Sequence, residues 1–271
     1  MHEEEYSDSG EVVSVATIFL TNRECPWHCV MCDLWRNTLT ERVPVGAIPA
    51  QIEYALSRMA PARQVKLYNS GSFFDAGAIP PEDYEDIARL VAAFDRVIVE
   101  CHPRLVGRSS FQFRDLIGGQ LEIAMGLETA HPEVLARLNK GMTLDDYATT
   151  AELLMRHDID LRSFILVQPP FVRADEALHW AKRSLDFAFD CGARAATLIP
   201  TRAGNGAIEE LARIGDFAPP GIDLLEAALV YGIKLNRGRV FADLWDLGCS
   251  EDNVEHVKRL SAINRSQSVE M

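Results

Sequence analysis

VVSVATIFL at residues 12–20, followed within a few residues by Cys25-Pro26-Trp27-His28-Cys29-Val30-Met31-Cys32, is a near-continuous apolar, β-branched run that ends at a loop crowded with thiols. Such runs mark strands buried on both faces, as in parallel sheets covered by helices, rather than the alternating strands of a half-solvated sheet. Five more follow: QVKLYNS at 64–70, RVIVEC at 96–101, QLEIAMGLE at 120–128, DLRSFILVQ at 160–168 and AATLIP at 195–200. Between them, residues 50–59, 81–94, 143–157 and 175–190 place apolar side chains at helical spacing. In the third of these, Leu144, Tyr147, Ala148, Ala151, Leu154 and Met155 share one face, and Thr143 with Asp146 forms a capping box.

Alternating strand and helix with short links predicts right-handed βαβ units around a parallel sheet, open or closed into a barrel. Six strands are fewer than a complete eight-stranded barrel needs. The expectation is an α/β fold, a partial (β/α)6 TIM-type barrel over residues 12–220, with a short C-terminal extension at 221–271 that could act as a lid. Pro219-Pro220-Gly221 marks the boundary.

In such folds ligands bind where loops leave the C-terminal ends of the strands. The chemistry-bearing residues fall there: the three cysteines after the first strand, Asn69-Ser70-Gly71-Ser72 after the second, Glu100 ending the third, Glu128 ending the fourth, and Gln168 after the fifth. The CxxxCxxC spacing lets three thiolates converge on one face of a cubane cluster, leaving one iron without a cysteine and open to another ligand. A zinc site completed by His28 or a distant cysteine, or three thiols with no metal, are the alternatives that spacing leaves open. Gly71 lets backbone approach a ligand, and the neighbouring hydroxyls supply hydrogen bonds. Glu100 and Glu128 end otherwise apolar strands, where a bare charge is costly. Each needs a partner, either a cation such as Arg104 or Arg162, or a bound ligand. Arg162 and Gln168 complete the candidate cofactor-binding set. Cys101, Cys191 and Cys249 read as buried thiols behaving as small hydrophobes; Cys101, beside Glu100, is the one placed for a catalytic role. Asp243, Trp245 and Asp246 read either as a cap over the barrel or as substrate contacts.

Composition bounds the partners. The chain has 271 residues, 48% hydrophobic and 25% charged, with 40 acidic against 27 basic residues and a net charge of -13. That field repels polyanions unless a local basic patch overrides it, and residues 221–271 carry six basic against eight acidic side chains. Weak binding of nucleic acid by the chain alone is expected, tRNA included. Six cysteines, three of them within residues 25–32, suit metal or redox chemistry better than a disulfide framework. The N-terminus MHEEEYSDSG has neither a basic nor an apolar leader segment, and no stretch is apolar enough to span a membrane. The chain reads as cytoplasmic, with no membrane partner.

The cysteine loop after a first strand resembles that of the radical S-adenosylmethionine (SAM) superfamily. Ala124-Met125-Gly126-Leu127-Glu128-Thr129 with Asn139-Lys140-Gly141, Ile165 to Pro170, and Leu198-Ile199-Pro200-Thr201 resemble the subgroup of the elongator catalytic subunit and the tRNA methylthiotransferases. Tyr68 to Asp75, Asn205-Gly206 and Phe241 to Leu247 are most similar to the radical SAM subunit of the archaeosine synthase family, which acts on a lysine-modified 7-deazaguanine in tRNA; the cysteine pair expected after the Trp-Asp segment is reduced to Cys249. The resemblance implies a 4Fe-4S cluster on Cys25, Cys29 and Cys32, with SAM chelating the open iron and meeting the 69–72 segment. It also implies reductive cleavage of SAM to a 5′-deoxyadenosyl radical, an external electron donor, and a partner subunit that presents tRNA. The substrate class is then a modified nucleobase. A small metabolite or peptide, or a non-catalytic iron–sulfur or zinc module, are the alternative readings.

Overall fold

The computed structural model describes residues 1–245, 247 and 253–270. Its centre is an eight-stranded sheet in which spatial order follows chain order: β1 (His2–Tyr6), β2 (Val12–Phe19), β3 (Gln64–Tyr68), β4 (Arg96–Glu100), β5 (Gln120–Glu128), β6 (Asp160–Val167), β7 (Ala195–Pro200) and β8 (Arg239–Ala242). β2 to β8 are parallel, and β1 pairs antiparallel with β2. The crossovers carry α1 (Ala47–Leu56), α2 (Tyr84–Leu90), α3 (Arg108–Leu116), α4 (Pro132–Arg137), α5 (Leu144–Arg156), α6 (Ala177–Asp190), α7 (Ala207–Arg213) and α8 (Ile222–Leu235), and α9 (Val254–Ser266) follows β8. This is the expected partial barrel.

The pleat separates two environments. Val65, Leu67, Val97, Val99, Leu121, Ile123, Ile165 and Leu198 are buried in the core shared with the surrounding helices. Residues on the opposite face, toward the strands' N-terminal ends, are charged. Arg162 pairs with Glu5 and with Glu122 (2.5 Å), Lys66 with Glu5 (2.6 Å), Arg239 with Glu122 (3.1 Å), and Arg96 with Glu122 (2.9 Å), Asp160 (2.6 Å) and Asp8. Buried charges persist only when paired, and β1 supplies Glu5 to this layer. Burial works against the charge on Glu122, yet Arg162, Arg239 and Arg96 outweigh it and hold its pKa down at about 2; Glu5 lies well below the usual carboxylate range because Arg162 and Lys66 likewise overcome its burial.

Two parts of the sheet depart from the sequence-based expectation. There are seven parallel strands rather than six, because α8 and β8 add a further unit beyond residue 221, so the sheet runs across the expected boundary. The acidic N-terminus, which lies before the expected core at 12–220, supplies strand β1. The edges β1 and β8 approach each other without pairing: α9 packs against both, and Arg239 pairs with Asp8 at 2.7 Å and donates to the Tyr6 carbonyl at 3.5 Å. The free edge of β8 is covered by side-chain amides that imitate a neighbouring strand. Gln267 accepts from Val240 N (2.7 Å) and donates to Val240 O (2.9 Å), and Asn264 does the same at Ala242, both at 2.8 Å.

Candidate active site

Because β2 to β8 are parallel, the loops that follow them open on one end of the barrel, and three of these loops interlock there. The cysteine loop after β2 is tied down by Val30 N donating to Leu138 O (3.0 Å) and by the Asn139 amide donating to His28 O (2.9 Å). From the other side the Asn205 amide donates to Val30 O (2.6 Å) and Cys32 O (3.2 Å). Inside the loop Cys32 N donates to Cys29 O at 3.1 Å, forming a turn. Cys25, Cys29 and Cys32 are partly buried free thiols. Burial pushes all three thiol pKa values up, that of Cys29 to about 12.

Gly71 sits against this loop: a Cβ there would lie 3.4 Å from Cys25 Cβ. The turn it belongs to is held from below by Glu100, whose carboxylate accepts from Asn69 N at 3.2 Å. Burial pushes Glu100 up to about 7, although the N–H groups of Asn69, Gly71 and Ser70 pull the other way. Asn69 itself is fully buried, and neither atom of its side-chain amide has a partner. Ser72 Oγ accepts from His102 N at 2.9 Å, and the His102 ring stacks on Trp27 at 3.8 Å and 5° while its Nε2 bonds the Lys140 carbonyl at 2.8 Å. His102 thus joins the cysteine loop, the 69–72 turn and the 139–141 loop. Gly141 has φ +72 and faces Trp27, where a Cβ would stand 2.9 Å from the ring.

Lys140 Nζ donates to Glu128 Oε1 at 2.5 Å. Burial disfavours its charge, but Glu128, Cys29 and Cys25 more than offset this, so its pKa is raised and it remains an ammonium facing the thiols. The pairing register shifts between Gly126 and Glu128, and Glu128 has φ +64, a bulge that re-aims the last side chain of β5. Ser70 and Gln168, at the ends of β3 and β6, are left-handed too, with φ +54 and +53. Non-glycine residues in that region carry about 1 to 3 kcal/mol of strain each and cluster at ligand sites.

Several residues stand elsewhere than the sequence suggested. Arg162 is not at this end of the barrel: it is fully engaged by Glu5 and Glu122 in the charged layer, so it has no donor to offer a cofactor there. Cys101 is 3% exposed and belongs to the helix-facing core with Val97 and Val99, one residue out of phase with Glu100, so it does not face the lumen. The cation beside Glu128 is Lys140, neither Arg104 nor Arg162. Gln168 donates to Ala218 O at 2.7 Å and braces a loop. Asp243 pairs with Arg202 at 2.8 Å and caps Trp245 N at 2.9 Å; Asp246 and Cys249 lie outside the described residues. Trp27, His102, Lys140, Asn139 and Asn205 all make contacts in the site, and of these only His102 lay outside the segments the sequence singled out.

No protein-family profile matches the chain. It is similar to archaeosine synthase subunit beta of Methanosarcina acetivorans, 25% identical over 224 residues that cover 78% of this chain and 65% of the relative. To the protein of the same name from Thermococcus kodakarensis it is 29% identical over 166 residues, covering 58% and 51%. The chain therefore spans about half to two thirds of the length of these curated relatives. Among solved structures, archaeal Elp3 of Methanocaldococcus infernus superposes with TM-score 0.58 at 16% identity, covering 84% of this chain and 56% of that one. A radical SAM methyltransferase from Kitasatospora setae, with cobalamin and a 4Fe-4S cluster bound, gives 0.54 at 15% identity, covering 72% and 39%. The fold is that of the radical SAM enzymes.

The cofactors a radical SAM barrel implies fit the residues present. Between Cys25 and Cys32 the loop offers three soft thiols and no carboxylate, the donor set of an iron–sulfur cubane with one open corner, with Glu24 and Asp33 flanking it. Beside it lie the orphaned Asn69 amide and Gly71, whose missing side chain lets the turn approach Cys25 closely. Among the described residues the three thiols are not drawn to one ligating point. Gly126 gives the mouth of the barrel its fit around Lys140, because a Cβ there would overlap both Glu128 Oε1 and Lys140 Nζ. We expect Gly126→Ala to separate that pair and to destabilise the protein by about 1 to 3 kcal/mol, the usual penalty of overpacking; an unchanged urea midpoint would contradict it.

Proposed function

We propose that this chain is a radical SAM enzyme whose 4Fe-4S cluster is held by Cys25, Cys29 and Cys32, with SAM lying between that loop, the 69–72 turn and Glu128. The observation that carries the reading is the meeting of the thiol loop, the strained strand ends and the Lys140–Glu128 pair at one end of the barrel. When bound, the cluster and SAM supply the one-electron chemistry and the hydrogen abstraction. The chain's own residues bind and orient. Backbone of residues 69–72 would meet the SAM amino group, Lys140 and Glu128 offer one charge of each sign, and the packed loops keep water from the reacting atoms.

Anaerobic reconstitution followed by a reductant-dependent assay for 5′-deoxyadenosine tests the reading, and a chain that fills with cluster yet never cleaves SAM would be a binding module. Glu128→Gln, which removes a charge at nearly constant volume, should leave the cluster in place and weaken SAM binding about ten- to one-hundredfold, since charge-assisted hydrogen bonds are worth roughly 1.5 to 3 kcal/mol. Equal affinity in the variant would return Glu128 to a purely structural role.

For substrate we propose a modified nucleobase of tRNA, supported by the similarity to archaeosine synthase subunit beta. The word subunit in that name supports a partner chain, and the net charge of -13 agrees with one that presents the RNA. The isolated chain should give no electrophoretic shift of tRNA below micromolar concentration at near-physiological salt. Tight binding by the chain alone would point instead to a self-sufficient tRNA enzyme.

A further inference from the structure

Each cysteine of the loop is braced by a different part of the barrel. Cys25 lies against Gly71, the segment before Cys29 is held by Asn139, and Cys32 is held across 173 residues by Asn205. Asn205 sits in the connection between β7 and α7. Its two amide atoms face opposite ways. Nδ2 donates to the carbonyls of Val30 (2.6 Å) and Cys32 (3.2 Å), while Oδ1 accepts from Ile208 N (2.9 Å) in the first turn of α7. Only this orientation of the amide satisfies all three contacts, because the two carbonyls need a donor and the N–H an acceptor. The Cys32 carbonyl accepts a second bond from Trp35 Nε1 at 3.2 Å.

We propose that Asn205 is a positioning residue for the cluster: it fixes the backbone that bears the third cysteine to the start of α7, so the β7–α7 connection and the cluster loop move as one body. The proposal rests on the three cysteines being the cluster ligands. Groups that orient a metal's ligands without touching the metal commonly alter its affinity about 10- to 100-fold when removed, and a residue that anchors the ligand's own peptide belongs to that class. The alternative role for Asn205 is capping α7, and one substitution separates the two. Asn205→Asp keeps an oxygen for Ile208 N and adds a negative charge at a helix start, which is favourable. It turns its second oxygen toward the carbonyls of Val30 and Cys32, where a donor is required.

If Asn205 serves α7 alone, N205D should match the wild type; if it positions the loop, N205D should lose the clamp while keeping the fold. Wild type and N205D are reconstituted anaerobically with ferrous iron and sulfide, and iron release to EDTA is followed together with the electron paramagnetic resonance of the dithionite-reduced cluster. We expect release to quicken roughly tenfold or more in N205D, with an altered spectrum and unchanged circular dichroism. Should N205D fail to fold, Asn205→Ala, which removes the donor to the loop and the acceptor for Ile208 N together, is read by the same two measurements, with Glu209 still bonding Gly206 N at 2.8 Å and circular dichroism reporting any loss at α7. Wild-type release and spectrum in the folded variant overturn the proposal alone. A wild-type chain that takes up no iron overturns the cluster reading itself.

Discussion

Alanine at Cys25, Cys29 or Cys32 is expected to abolish the brown absorption near ~400 nm of a cysteine-ligated iron–sulfur cluster, and with it all reductive cleavage of SAM. An incomplete ligand set does not hold a cubane with a usable open iron, so the effect is loss and not attenuation. The fold should survive. The loop lies outside the sheet, its thiols are only partly buried, and its backbone anchors to Leu138, Asn139 and Asn205 do not pass through the cysteine side chains. Iron content, absorbance and far-ultraviolet circular dichroism on each single variant check this, and a variant that keeps a full complement of iron excludes that cysteine as a ligand.

The second large effect lies at the opposite end of the barrel. Arg162 is 2% exposed and engages both Glu5 and Glu122, so Arg162→Leu takes one cation from each of two buried carboxylates, leaving Glu5 to Lys66 and Glu122 to Arg96 and Arg239. A buried charge left with no partner costs about 3 to 5 kcal/mol; with those partners kept, the expected loss is up to about 3 kcal/mol, still a sizeable part of the 5 to 15 kcal/mol that typically holds a domain together. The urea midpoint at neutral pH should fall accordingly, and a change below ~1 kcal/mol would mean that Lys66, Arg96 and Arg239 suffice for the two carboxylates. The same carboxylates set an acid limit. Glu122 is held at about 2 against an ordinary value of 4.5, so the folded state binds its proton less readily than the unfolded chain. Its contribution is fully present above pH 4.5 and is lost as pH falls from there toward 2, with Glu5 acting in the same direction. Denaturation by urea at a series of pH values between 7 and 3 should show the Glu122 and Glu5 contribution lost below about pH 4.5, while between about 7 and 4.5 Glu100, raised to about 7, gains stability as pH falls and His102, lowered to about 4, loses it.

The parallel strands from β2 to β7 were legible because each is an apolar run long enough to rise above its surroundings, and β5 and β7 have the bounds that the runs at 120–128 and 195–200 suggest. β1 was not, since His2-Glu3-Glu4-Glu5-Tyr6 has no apolar period and is a strand only because its acids meet Lys66 and Arg162 inside the barrel. A trace of it was present: Lys66, Arg96, Glu122 and Arg162 interrupt otherwise apolar strands, and the cations among them required acids from elsewhere. β8 spans only Arg239–Ala242, too short to register as a run. Within the site, the strand-end positions of the cysteines, of Asn69 to Ser72, and of Glu100 and Glu128 followed from parallel topology alone. Their partners did not, because Lys140 reaches Glu128 and His102 reaches Trp27 through loops whose contacts leave no periodic mark. Cys101 was open to correction by pleat alone, being in step with Val97 and Val99 and out of step with Glu100.

The amide cover over β8 bears on how this protein can meet other chains. A bare edge strand is a template for β-augmentation, whether by a partner's extended segment or by another copy of the same chain. Asn264 and Gln267 occupy the backbone groups of Val240 and Ala242 that such a visitor would need. Recruitment through this flank would first have to unseat α9, so strand addition at β8 is closed to a visiting chain while α9 stays in place.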